Sequence, residues 1–525
     1  MPGAKNHRLA LTALLPLLAL ASPVHAQSVI GSGVPASTTA NSQERPIAFA
    51  AQAPENAGLI ILTQSAALPE TPALSGADRG AVEAAIAAAD FQGKAGQHLK
   101  LRGIGGRPLI MIVGAAKAEG ENADWRAAAG GAIQKLMAEE TELAMIGAPD
   151  AEAMASAALG LALGQYRFDR YKHDVEKAPA SQQVTIAGAA ANAAQMLWTN
   201  RHQHLAEGVR FARDLQSEPA NTIYPESFVD RTRAALAGVP NVRVEVLDEA
   251  QMRQLNMGAI VGVGQGSPRG SRMMVVTYRG ASGPPLALAG KGITFDTGGI
   301  SIKPNSGMWG MKADMTGAAA VMGATLSLAK SRAPVHIVAV AALAENMPGA
   351  NAQRPGDVVR TYGGKTIEIR STDAEGRLVL ADAVQYVADK YDPYALVDIA
   401  TLTGSVGRAL GPQYAGLFAR EDAIAGKLLD AAEASGENLW RLPLHPAYAK
   451  ALKSDIADVK NSNIDAPGAS AGAHFIGYFV DSDLPWAHLD IAGVDWLDSA
   501  RPLTPKGASG FGVRLLDQLA RDWRE

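Results

Sequence analysis

Strand-like runs and alanine-rich helical stretches alternate along most of the chain. Leu59–Leu62 and Leu109–Val113, and further on Met273–Tyr278, Leu286–Ile293, Val335–Leu343, Thr366–Arg370 and Ala395–Ala400, have the length and residue types of strands. Between them, Arg126–Glu139, Ala151–Leu163, Gly317–Ala329 and Arg377–Asp389 read as helices. In the last of these, Leu378, Ala381, Val384 and Val387 recur three apart and form one apolar stripe. Such alternation predicts an α/β protein whose largely parallel sheet is covered on both faces.

The clearer alternation begins near Asn200. Residues 57–199 are expected to form a small N-terminal α/β domain without a nucleophile or ligand cluster, suited to assembly or regulation. Residues 200–525 are expected to form a larger C-terminal catalytic domain, three-layer α/β/α, around a mostly parallel mixed sheet. Residues 27–56, rich in Ser, Thr, Ala, Gly and Pro, read as a flexible lead-in outside the fold. Ahead of them stand basic Lys5 and Arg8, the apolar run Leu9–Ala21 and the small-x-small tripeptide Val24-His25-Ala26. That order predicts a signal peptide (1–26) cleaved after Ala26 and an exported, periplasmic or secreted protein, cytoplasmic only if unprocessed. The run falls short of the ~20 residues that span a bilayer, so no stable membrane anchor is expected.

Composition narrows the function. The 525 residues carry 48 Lys+Arg against 52 Asp+Glu, and 47% are apolar, which excludes a disordered or fibrous chain. This acidic balance disfavours nucleic acid as a partner. With no cysteine, nucleophiles are limited to Ser, Thr or metal-activated water.

In open α/β sheets ligands bind beyond the carboxyl ends of strands, so polar residues following strand-like runs are the ones to inspect. Three segments qualify: Gly290–Pro304, Met311–Gly317 and Ser371–Leu378. They hold Asp296, Asp314, Asp373 and Glu375. Like charges ~4 Å apart repel by about 4 kcal/mol at an effective dielectric of 20, so these acids need compensating positive charge to share a pocket. Two divalent ions roughly 3.5–4 Å apart would supply it and furnish a hydroxide-like nucleophile near neutral pH. Asp373 and Glu375, one residue apart, would point to one side of an extended backbone. Lys291, set between glycines, is either an ion-pair partner or a neutral amine ligand. Lys303 could stabilise a developing oxyanion, and Arg377 offers a planar fork for an anion.

The stretch Gly290–Val321 followed by Thr372–Leu378 closely resembles the leucyl (cytosol) aminopeptidases, dinuclear-metal exopeptidases. The resemblance continues through Asp398–Gly404 and Trp486–Gly493, covers roughly residues 200–520, and extends loosely to Tyr166-Arg167-Phe168 and Tyr171-Lys172. It implies one ion held by Lys291, Asp296, Asp314 and Glu375, and a second by Asp296, Asp373 and Glu375, with the Asp373 carbonyl also available. It further implies Zn²⁺ or Mn²⁺, Lys303 polarising the scissile carbonyl, and a bicarbonate on Arg377 as general base. Met311, Thr401 and Gly404 would line the pocket for the first side chain. The implied partners are peptides with leucine or other apolar N-termini, within a homohexamer. The chain departs from the family's pattern at Ser371, where asparagine is usual, at Ser217–Asn221, and at its signal-like N-terminus.

Two other readings compete. Gly468-Ala469-Ser470-Ala471-Gly472 fits the G-x-S-x-G pattern of serine hydrolases, with His488 and Asp490 downstream, but follows a turn-forming loop where a strand is required. The other is a non-catalytic, DNA-binding or structural role. Gly262-x-Gly264-x-Gly266 completes no nucleotide fingerprint. His202 and His204, two apart, do not face each other on a helix and read as surface or packing residues, and His336 and His488 read as core histidines.

Overall fold

The computed structural model describes residues 40–117, 123–173, 181–463 and 466–523. The expected signal, residues 1–26, lies outside them. Strands β1 (Ile47–Ala50), β2 (Gly58–Thr63), β3 (His98–Leu101), β4 (Ile110–Gly114), β5 (Leu143–Ile146) and β6 (Val184–Ala187) form one sheet in the order β1-β6-β5-β2-β4-β3. Only β3 runs antiparallel to its neighbour. Ile60 and Leu62 pack under helices Trp125–Lys135 and Ala151–Gly164, while Leu59 and Ile61 face helix Gly76–Ala88, so the apolar run Leu59–Leu62 feeds two cores.

β1 corrects the expected lead-in. Ile47–Ala50 pairs in parallel with β6, and the buried Arg45 ahead of it donates to the carbonyls of Thr141 and Gln182. Four residues are too short for a periodic signal, and the edge of β6 supplies the missing hydrogen bonds.

The chain continues through β7 (Val242–Leu247), β8 (Arg272–Arg279), β9 (Leu286–Asp296), β10 (His336–Asn346), β11 (Val358–Arg360), β12 (Thr366–Glu368), β13 (Ala395–Ala400), β14 (Ala415–Ala419), β15 (Leu439–Arg441), β16 (Val459–Lys460) and β17 (Trp486–Asp490). Eight of these make a mixed sheet in the order β15-β14-β17-β13-β9-β10-β8-β7, parallel from β17 through β10. Its residues alternate between two layers. Leu286, Leu288, Ile337 and Ala339 face helices Gln203–Ser217, Thr316–Lys330 and Val513–Asp522, whereas Ala287, Ala289, Val338 and Val340 face helices Gly376–Tyr391 and Gly468–Gly477. This is the expected three-layer α/β/α domain.

Thr366–Arg370 does not join that sheet. β12 forms a tight hairpin with β11 and pairs with β16 in a separate three-stranded sheet, because Gly363-Gly364 turns the chain back after Thr361. Gly262 and Gly264 belong to helix Gly258–Gly264 and pack against Gln353 and Ser271, which removes the phosphate-loop reading.

Candidate active site

β9 runs on past the expected Ile293 to Asp296, so Lys291 and Asp296 both project from the strand itself. Lys291 shares the face of Ala287 and Ala289, toward helix Gly376–Tyr391. A Cβ at Gly376 would lie 2.6 Å from the Lys291 side chain, so only glycine lets the helix start this close. After Asp296 the chain turns at Gly298, whose φ of +86° suits glycine, and a Cβ there would sit 2.7 Å from Asp373 Oδ1. Asp314 follows the 3₁₀ turn Met308–Ala313, and Glu375 caps helix Gly376–Tyr391.

These elements converge. Ligand atoms of Asp296, Asp314 and Glu375, all buried, lie within 4.8 Å of one another. The Lys291 ammonium sits 2.7 Å from Asp314 Oδ1 and 2.8 Å from Glu375 Oε1 and donates to the Thr401 carbonyl at 2.8 Å. Lys303 bridges Asp296 Oδ2 (2.7 Å) and Asp373 Oδ1 (2.5 Å). Asp373, more exposed, therefore joins the cluster through Lys303. Its segment is a turn closed by Ala374 N–H on the Ser371 carbonyl and is not the extended stretch that residue spacing suggested. Ser371 Oγ accepts from Asp373 N–H, so this serine also closes the turn.

Burial raises the Asp296 carboxyl to about 6, and the Glu375 charge adds to the rise. Burial likewise pushes Asp314 well up. Glu375 goes the other way: burial favours its protonation, but Lys291 and Lys303 outweigh this and hold it below its usual value. For both lysines burial opposes the charge, and the surrounding carboxylates more than compensate, raising them above the usual lysine range. In this state Lys291 is an ion-pair partner, and the two ammonium groups neutralise acids that a cation could take over.

Open valences test the fit to metal and anion. Asp314 Oδ2 and Glu375 Oε2 are buried without a hydrogen-bond partner, and carboxylate oxygens left in that condition suit a hard or borderline divalent cation. The fully enclosed Arg377 gives Nη1 to the Asn461 carbonyl (2.8 Å) and leaves Nε unpartnered. Gly472 packs beside the fork, where a Cβ would meet Nη2 at 3.4 Å. Met311 lies in the turn leading to Asp314, and Thr401 meets Lys291 through its carbonyl. Gly404 is exposed at the start of helix Gly404–Leu410, where a Cβ would meet only Arg408.

Two supporting residues escaped sequence reasoning. Asn346, ending β10, donates to Asp296 Oδ1 (2.7 Å) and the Thr372 carbonyl (3.0 Å). Its signal was the polar pair Glu345-Asn346 closing the apolar residues 337–344. Asn461 binds the backbone of Arg370 and Ser371 and orients Arg377, from a loop with no periodic or spacing signal. The serine-hydrolase reading fails on geometry. Ser470 is buried in the first turn of helix Gly468–Gly477, and His488 is enclosed within β17 with Nδ1 on Asp398 Oδ1 (2.5 Å).

The family model for the cytosol aminopeptidase family, catalytic domain, matches residues 210–517, and that for its N-terminal domain matches residues 60–174. The chain belongs to the cytosol aminopeptidase family. It is 45% identical to a probable cytosol aminopeptidase of Caulobacter vibrioides, over 90% of this chain and 97% of that protein. To one of Rhodopseudomonas palustris it is 44% identical, over 86% and 92%. Among solved structures it resembles a mutant tomato leucine aminopeptidase (TM-score 0.81, 30% identity, 93% of this chain and 98% of that one). It also resembles the bottromycin maturation enzyme BotP in complex with Mn (TM-score 0.79, 32% identity, 89% and 99%). The protein is accordingly an aminopeptidase, a hydrolase of peptide bonds; the family and the Mn complex point to divalent metal, and the buried cluster of Asp296, Asp314 and Glu375 is a group that could hold an ion. The expectation of export is corrected here: relatives matched along nearly their whole length are named cytosol aminopeptidases. Among the described residues, no helix is long and apolar enough to cross a membrane.

Proposed function

We propose that this aminopeptidase removes leucine and other apolar residues from the amino termini of peptides, with two divalent ions, Zn²⁺ or Mn²⁺, in each subunit of a homohexamer. The observation that carries the reading is the set of three buried carboxylates within 4.8 Å, two of them with unpartnered oxygens, compensated by two lysines. Lys291, Asp296, Asp314 and Glu375 would hold one ion, and Asp296, Asp373 and Glu375 the other, with the Asp373 carbonyl also available. Bound there, the ions act as Lewis acids on the scissile carbonyl and make water nucleophilic near neutral pH.

The protein's own groups do the rest. Lys291 must shed its proton to become a ligand, so metal loading releases protons. Lys303, partly open to solvent and held charged by Asp296 and Asp373, would polarise the substrate carbonyl and stabilise the negative charge that develops on it. Arg377, with Nε unpartnered, would hold bicarbonate, which provides a proton acceptor. Met311, Thr401 and Gly404 would line the pocket for the departing residue's side chain.

The test is hydrolysis of leucine p-nitroanilide before and after a chelator, then with Zn²⁺ or Mn²⁺ restored. Activity should vanish and return. Fully metallated protein inactive on this substrate and on a panel of free-amine peptides would overturn the proposed specificity, and activity untouched by the chelator would overturn the metal mechanism.

A further inference from the structure

A cleft of about 600 Å³ lies between the six-stranded sheet's helices and the far side of the catalytic domain. Arg126 enters it from helix Trp125–Lys135, Arg201 and His202 from the π-helical turn Trp198–His202, and Arg514 from helix Val513–Asp522. The guanidinium groups of Arg126 and Arg514 approach one point, since a Cβ at Gly436 would sit 3.1 Å from Arg126 Nη2 and 3.9 Å from Arg514 Nη1. Burial, then the Arg514 charge, push the Arg126 guanidinium down to about 10. Two acids, Asp150 and Glu152, also line the cleft, and Asp150 is engaged in capping its helix through Ala153 N–H.

Arg514 is already engaged, giving Nη1 to the Ser435 carbonyl (2.6 Å) and pairing through Nε with Glu437 (3.3 Å), whereas what separates Arg126 and Arg201 from structural arginines is their unmet valence. Arg213, also buried, gives Nε, Nη1 and Nη2 to the carbonyls of Ser509, Leu163 and Leu503. Arg126 makes no hydrogen bond or ion pair to any described residue, and its Nε is enclosed without a partner. Arg201 reaches Gln518 with Nη2 but leaves Nε unpartnered, and His202 Nδ1 beside it is unpartnered too. Buried polar atoms are ordinarily satisfied, and π-helical turns gather at functional sites. The orphaned oxygens at the metal centre are matched here by orphaned donors.

We propose that this cleft binds a small polyanion, a metabolite with two or more phosphate or carboxylate groups, held between the guanidinium groups of Arg126 and Arg201, with the Glu437-paired Arg514 beside them. Planar, bidentate donors suit both kinds of oxyanion. The site is separate from the metal centre and involves both the N-terminal and the catalytic domain.

The test is calorimetric titration of inorganic pyrophosphate and, separately, citrate into the metal-loaded full chain, its Arg126→Gln and Arg201→Gln variants, and an Asp373→Ala variant. One saturable site per chain is expected for at least one probe, weakened about tenfold or more by each arginine substitution and kept in Asp373→Ala. Which probe saturates distinguishes phosphate from carboxylate recognition. Without ligand, Arg126→Gln should melt no lower than the parent, because no bond is lost. Three results would overturn the proposal: equal binding by the parent and both arginine variants, no saturable site in the parent, or a cleft filled by a neighbouring copy, seen as Arg126→Gln dissociating the oligomer while the parent binds neither probe.

Discussion

The two large sheets share an architecture and differ in what their strands contain. β2, β4, β5 and β6 hold no charged residue, and end in Thr63, Gly114, Ile146 and Ala187. The eight-stranded sheet buries Lys291, Asp296, Asp398, His488 and Asp490 within its central parallel strands, and β10 closes on Glu345-Asn346. Parallel strands under helices therefore decide where a site can form, and the polar residues placed in and beyond those strands decide whether one does.

The sharpest way to break this comparison is to remove a buried charge that serves the sheet alone. Burial disfavours the His488 imidazolium, but Asp398 and then Asp490 outweigh it and raise its pKa in the folded protein. A raised histidine contributes stability that is fully present below its unfolded pKa of about 6.5 and is lost as pH rises through the folded value. His488→Asn, which takes the opposite charge from Asp398 and leaves it the Trp486 indole N–H, should therefore lower unfolding free energy by about 3–5 kcal/mol in weak acid, with a deficit that narrows in alkali. Thermal melts across pH read it, and a deficit that grew with pH would contradict the ion pair.

Lys303→Ala should lower turnover by about 10²–10³ while metal content, read by elemental analysis, is retained. Loss of metal in step with activity would make Lys303 a structural partner of Asp296 and Asp373. Asn346→Ala should weaken metal affinity by about 10–100-fold in competition with a chromophoric chelator, since it removes one of the two donors to Asp296 Oδ1 and leaves only the Gly298 N–H. The smallest effect belongs to the other sheet. Ile60→Val, at a fully buried position, should cost about 0.5–1.5 kcal/mol in denaturant unfolding with kcat unchanged, and a fall in kcat would mean that the two sheets are coupled.

The acids and lysines were legible because their residue types crowd into three short segments flanking apolar runs, where chance polar residues are few. The reach of β9 from Ile293 to Asp296 was not, because Thr294 interrupts the apolar run there and Asp296 reads as the start of a turn. The strand-like run at Thr366 was legible, but its departure into a small separate sheet depends on pairing with β11 and β16, which no local pattern encodes. Asn461 and the arginine cleft were hidden for a common reason: their partners come together only through tertiary packing. His202, read as a surface or packing residue, lines that cleft, where burial and then the charges of Arg201 and Arg126 push its pKa down to about 4.

The order of the strands bears on the protein's biosynthesis. β17, the last strand of the large sheet to leave the ribosome, inserts between β13 and β14, and the Asn461 that anchors the Arg370–Ala374 turn and Arg377 emerges only shortly before it. A nascent chain stalled at residue 450 already contains Lys291, Asp296, Asp314, Asp373 and Glu375, yet its sheet is split at the place where β17 belongs. The six-stranded sheet repeats this pattern, since its last strand β6 inserts between β1 and β5, but all of its strands are made by Ala187 and it can fold while the rest is being synthesised. The surroundings of the acidic cluster are thus completed only by the final part of the chain.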